Sequence, residues 1–180
     1  KKDISEFFNI HRSLMMYAIQ KRKPAKERGK METRSDMLKS VAGVRDYITK
    51  NPEIIDEFTE ENPRNLEKEE ITIVKSWKKG IRDMFFVMGY KEDVSLFYHS
   101  KTRRCYGVLS LNDPLKKMLG NNIPIIVEAW IIPFKGKIMY DSIIEPYSVL
   151  VGNNMQKSIN EEYQQSIKEH GVITSFEEEK

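Results

Sequence analysis

The chain has 180 residues, 39% of them hydrophobic and 32% charged, a formal net charge of +3 and one cysteine, Cys105. That length sustains one well-buried core or two small lobes sharing one, and the composition excludes wholesale disorder. A single thiol excludes an internal disulfide and any multi-thiolate metal site, and fits a reducing, cytoplasmic setting.

Apolar residues at Phe7, Ile10, Leu14 and Tyr17, widened by Phe8, Met15 and Ile19, predict a helix from Ile4 to about Lys21. Lys23-Pro24 ends it, and a polar, basic loop runs to Lys30. Thr33 or Ser35 caps a second helix with Met37, Val41, Val44 and Ile48 inward. Asn51-Pro52 opens a short helix carrying Ile54, Ile55 and Phe58, which ends near Asn62-Pro63. Asn65 is the expected cap of a fourth helix, with Ile71, Val74, Trp77 and Ile81 inward and acidic residues at its positive end.

After Arg82 the period changes. Met84–Tyr90, Val94–His99 and Arg104–Ser110 read as strands. Asn112-Asp113-Pro114 starts a helical turn reaching Leu119, followed by two long strands, Ile125–Phe134 and Lys137–Glu145, joined at Lys135-Gly136. Tyr147–Val151 reads as a further strand. Asn153 or Asn154 then caps a last helix with Met155, Ile159, Tyr163 and Ile167 on one face, and Gly171 ends it before an acidic tail. The expectation is one α+β domain spanning residues 1–180: a helical lobe over 1–82, then a twisted antiparallel meander with a C-terminal helix over 83–180.

A two-residue loop at Lys135-Gly136 sets Phe134 opposite Lys137 and Glu128 opposite Ile143. Both faces of that hairpin are apolar beside the turn, which implies cover on both sides. Asp141 and Glu145 become diagonal neighbours of Glu128, roughly 7–8 Å away. Three converging carboxylates suit a hard cation or a shared proton, and equally suit ion pairs with Lys and Arg. With Ser100–Arg103 as a loop, Tyr98 faces Cys105 and His99 faces Arg104. Cys105 and His99 then point to opposite faces, which argues against a thiol dyad and for Cys105 as a small buried hydrophobe. His11 and His170 are expected to be solvated.

Charge is uneven: residues 1–50 hold 13 Lys+Arg against 6 Asp+Glu, and the remainder 17 against 21. Lys21, Arg22, Lys23, Lys26, Arg28, Lys30 and Arg34 surround the first inter-helix loop. Such a patch suits an acidic partner or the phosphates of a nucleic acid. No phosphate-cradling glycine loop, nucleophile elbow, paired-His zinc helix or calcium loop is present, so no cofactor or metal is expected. The longest apolar stretch, Ile123 to Phe134, is broken by Glu128 and two prolines and does not span a bilayer, and no secretion signal opens the chain.

Several segments are distinctive as a set: Asp56–Pro63, Ile73–Trp77, Tyr106-Gly107-Val108, Pro133–Ile138 with Tyr140-Asp141, and Gly171–Ser175. Over about residues 55–176 the chain resembles a family of uncharacterised bacterial proteins. Some of these carry a Cys/His-rich zinc-binding tail that has no counterpart here. The resemblance implies no activity and no metal. The reading that follows is a non-catalytic binding or regulatory module rather than an enzyme, its basic loop facing a partner. The alternatives are nucleic-acid binding through residues 21–34, or a metal-assisted hydrolase using Glu128, Asp141 and Glu145.

Overall fold

The computed structural model describes residues 2–22, 34–111, 113–148 and 151–177. The basic loop beyond Arg22, the expected cap Thr33, the Met37 side chain, Asn112, residues 149–150 and the end of the acidic tail lie outside the described residues. The chain divides into two compact units, Lys1–Lys78 and Lys79–Lys180.

Among the described residues the first unit contains four α-helices: α1 (Lys2–Arg22), α2 (Arg34–Lys50), α3 (Glu53–Glu61) and α4 (Lys68–Ser76). The α1 stripe is buried as its spacing requires, with Phe7, Ile10, Leu14 and Tyr17 at 6% exposure or less. Phe7 meets Trp77 at 5.9 Å between ring centroids, and Tyr17 meets Phe58 at 5.3 Å. Helix α3 ends at Asn62, whose backbone turns left-handed (φ 39°), and the Asn62 side chain accepts the Leu66 N–H at 2.7 Å. The next helix is not capped by Asn65. Glu67 caps it in a reciprocal box with Glu70, which accepts the Glu67 N–H at 2.9 Å. The acidic run thus closes both orphan amides itself. Ile81 does not continue the inner face of α4, because a 3-10 turn at Trp77–Lys79 ends the helix and Ile81 opens a strand.

The second unit is a six-stranded sheet: β1 (Ile81–Lys91), β2 (Val94–His99), β3 (Arg104–Leu109), β4 (Ile125–Phe134), β5 (Lys137–Pro146) and β6 (Val172–Ile173). Between them stand α5 (Leu115–Leu119) and α6 (Asn153–His170). The strands lie in the order β2-β1-β4-β5-β3-β6, and β2 also pairs with β3, so five of them close into a ring. The sheet is mixed rather than an antiparallel meander. One edge of β3 is divided: Cys105 and Tyr106 run parallel to β6, while Val108 and Leu109 run parallel to β5. Tyr147, Ser148 and Val151 are irregular, not a strand.

Closure gives the sheet an inside. Phe85, Val87, Phe97, Val108, Val127, Ala129, Ile131 and Ile138 share the inward face, and each is fully buried. Inside, Phe85 meets Phe97 at 5.7 Å and Tyr106 edge-on at 6.4 Å. On the outer face Phe86, Met88 and Tyr98 pack with Ile159 of α6, joined by Ile126 and Tyr163. Tyr98 donates to Glu162, and Ser166 donates to the Arg103 carbonyl at 2.9 Å, so polar bonds also fix α6 to the sheet.

The β4–β5 turn forms as the Lys135-Gly136 pair demands, with both residues at positive φ (49° and 72°). Phe134 pairs with Lys137, and the register holds as far as Ile131 with Tyr140. Then Asp141, Ser142 and Ile143 lie against Trp130 alone, and Ser142 adopts φ 74°. Beyond this bulge Glu128 pairs with Glu145, not with Ile143. The two extra β5 residues move every later partner by two positions.

Candidate functional site

A recess of about 660 Å³ lies at the end of the β4–β5 hairpin away from its turn. Leu119, Ile123, Pro124, Ile125, Pro146 and Val151 form its apolar wall, and Asn122, Tyr147, Ser148 and Gln156 add polar groups. Tyr147 is held twice: its N–H donates to the Ile126 carbonyl at 2.9 Å and its hydroxyl to Glu128 at 3.1 Å. The Gln156 side chain donates to the Ile123 carbonyl at 3.4 Å, which ties the first turn of α6 to the recess. Five large hydrophobic residues stand exposed among the described residues: Met16, Met118, Ile123, Tyr147 and Met155. Two of them, Ile123 and Tyr147, line the recess. A single exposed hydrophobe is ordinary, but two that line one apolar concavity are a feature of binding surfaces.

The three sequence-selected acids do not form one group. Glu128 and Glu145 face each other across the strands and share Arg82, whose guanidinium nitrogens lie 2.5 Å and 3.7 Å from them. Asp141 is fully buried on the bulge, where it accepts the Ile143 N–H at 3.3 Å. No cluster of three His, Cys, Asp or Glu side chains able to hold a metal ion occurs among the described residues. Arg82 comes from β1, beyond the reach of the β4–β5 pairing pattern. Replacing it with alanine removes the cation that two facing carboxylates share. We expect a loss of about 1–2 kcal/mol, set between exposed and buried ion pairs because the glutamates are partly solvated. Glu145→Gln added to Arg82→Ala should restore part of it in urea denaturation, and strict additivity of the two changes would refute the coupling.

Of the basic set, Lys23, Lys26, Arg28 and Lys30 lie outside the described residues, and Arg34 opens α2. Lys21 is engaged inside the first unit: its ammonium lies 2.9 Å from Glu61 and 3.3 Å from Glu57, and 5.1 Å from the Tyr17 ring centroid. The Arg22 guanidinium lies over the backbone of α2, where a Cβ added to Gly43 would meet it at 2.9 Å.

Histidines and the cysteine complete the inventory. The β2–β3 register sets Tyr98 against Cys105 and His99 against Arg104. Cys105 is fully buried, and burial pushes its thiol up to about 12. His170 is exposed, but His11 is not solvated: it is 5% exposed, stacks on Phe7 at 5.7 Å and lies 5.8 Å from the Trp77 ring. Burial, reinforced by the Arg45 charge, lowers its pKa to about 4.

His99 is held in a group the sequence reading missed. Its Nε2 lies 3.2 Å from Asp83 of β1 and its Nδ1 2.9 Å from the Thr102 hydroxyl in the β2–β3 turn. Asp83 also accepts from Lys101 at 2.7 Å and from the Met84 N–H at 2.8 Å. Partial burial alone would raise the Asp83 pKa, but the bonds from Lys101, the Met84 amide and His99 prevail and lower it to about 2.

No protein-family model, curated protein or solved structure matches the chain. The resemblance noted from its motifs therefore assigns no family.

Proposed function

We propose that this protein is a binding module whose recess takes a small, largely apolar molecule with a polar end. The observation that carries this reading is the apolar wall formed by Leu119, Ile123, Pro124, Ile125, Pro146 and Val151, with the large exposed side chains Ile123 and Tyr147 lining the same concavity. Its volume suits a small ligand better than a flat protein interface, since small-molecule sites run to roughly 300–1,000 Å³ with apolar walls and a few placed polar groups. Tyr147, Asn122 and Gln156 supply such groups. Lys21 of the basic set is paired with Glu57 and Glu61, and the loop itself lies outside the described residues.

Anilinonaphthalene sulfonate, an amphipathic aromatic probe, tests the reading on the native protein. Saturable fluorescence enhancement is expected well below the unfolding transition. Ile123→Glu should weaken it by roughly tenfold or more, by placing a charge on the apolar wall. Met16→Glu, on the first unit, should leave it unchanged. No enhancement, or equal affinity in Ile123→Glu, would overturn the proposal.

A further inference from the structure

The Asp83–His99–Thr102 group has the order of a nucleophile, its base and the carboxylate that orients the base. Asp83 is ionised and can only accept, so the His99 tautomer that suits it carries its N–H on Nε2 and a lone pair on Nδ1. That lone pair faces the Thr102 hydroxyl at 2.9 Å, and the Nε2 contact to Asp83 is 3.2 Å. Both distances fall within the reach that base-activated nucleophiles use. The imidazole is fixed as well as placed: His99 is 4% exposed and its ring lies 5.1 Å from Phe85 inside the ring of strands. Thr102 is exposed in the β2–β3 turn, so an incoming group can reach its oxygen. Ionised Asp83 is held by Lys101 as well as by His99, so the carboxylate does not depend on the imidazole for its charge.

We infer that Thr102 is a nucleophile activated by His99 and that it takes acyl groups from activated esters. Asp83 is the positioning residue. In the first step the Thr102 proton moves to His99 Nδ1 as Oγ1 bonds to the acyl carbon. The ester C–O bond then breaks, and the leaving oxygen takes the proton from His99 to depart as the alcohol. In the second step water attacks the acyl-threonine, giving its proton through His99 back to Thr102 Oγ1. The carboxylic acid is released, and the balance is ester plus water to acid plus alcohol. No oxidant or further co-reactant is needed.

The test uses p-nitrophenyl acetate with the whole chain, reading nitrophenolate release and the acetylated residue by mass spectrometry. Release should show an initial burst, with the adduct on Thr102. Cys105, buried completely, should not compete. Thr102→Val keeps the shape of an exposed side chain, so its fold is expected to survive, and acetylation should fall about 100-fold or more, within the range of general-base assistance. Thr102→Ser should retain the reaction. Asp83→Asn should slow acetylation, and Asp83→Glu, which keeps a carboxylate to accept the Nε2–H, should restore part of it; equal loss in both would refute the positioning role. Adducts confined to lysines such as Lys101, or wild-type reactivity in Thr102→Val, would overturn the inference.

Discussion

Phe85→Ala is expected to destabilise the second unit by about 3–5 kcal/mol, the range for truncating a buried aromatic residue. The ring is fully buried at the centre of the inward face, in contact with Phe97, His99 and Tyr106. The strands around it are hydrogen-bonded into a closed circuit, so they have little freedom to move in and fill the space. Total stabilities of roughly 5–15 kcal/mol make this a large fraction of what the fold has. Trp130 lies in this unit and Trp77 in the other, so a Trp77→Phe background leaves emission that reports the sheet. Urea titration of Phe85→Ala against that background should show a sharply lowered midpoint with Phe85→Leu between. A loss under about 1 kcal/mol would mean the inward face is not a packed interior.

The second large effect is a pH dependence in the first unit. An unfolded His11 takes up its proton at about 6.5, whereas the folded residue does so only at about 4. Between those values the unfolded chain binds more protons, so stability falls on acidification and is restored as pH rises. At 1.36 kcal/mol per unit, the loss is about 2 kcal/mol on going from pH 7 to pH 5, and about 3 kcal/mol by pH 4. The physical cause is burial of the imidazole, reinforced by the neighbouring Arg45 charge; its Nε2 has no hydrogen-bond partner among the described residues. In a Trp130→Phe background, emission from Trp77 reports this unit. Denaturation at pH 7 and pH 5 should differ by that amount in the parent and far less in His11→Phe, whose ring fits the same stack on Phe7. An equal fall in both would assign the effect to other groups.

Local signals in the sequence carried the elements but not their assembly. The strands Val94–His99 and Ile125–Phe134 have the limits their composition predicts, and Lys135-Gly136 makes the expected turn because its chemistry is contained in two residues. Burial of His11 overturns the expectation of a solvated ring, although the residue stands four positions after Phe7 and three before Leu14, on the buried stripe itself. What the sequence did not disclose is non-local. The parallel pairing of β3 with β5 leaves no mark in either strand. The bulge at Ser142 has no glycine to announce its positive φ, and it alone decides that Glu128 meets Glu145. Asp83 reaches His99 only through the β1–β2 register, and Arg82 reaches the glutamates only through β1–β4. The recess is assembled from the ends of strands and helices and from irregular segments, where periodicity has nothing to say.

The divided edge of β3 gives the shortest strand a role out of proportion to its size. Where β5 leaves the first half of β3 uncovered, Val172 and Ile173 arrive from beyond α6 and complete the hydrogen-bonding row at Cys105 and Tyr106. β6 acts as a stopper. Without it those backbone groups would stand open, offering the kind of free margin along which further copies of a chain add strand upon strand.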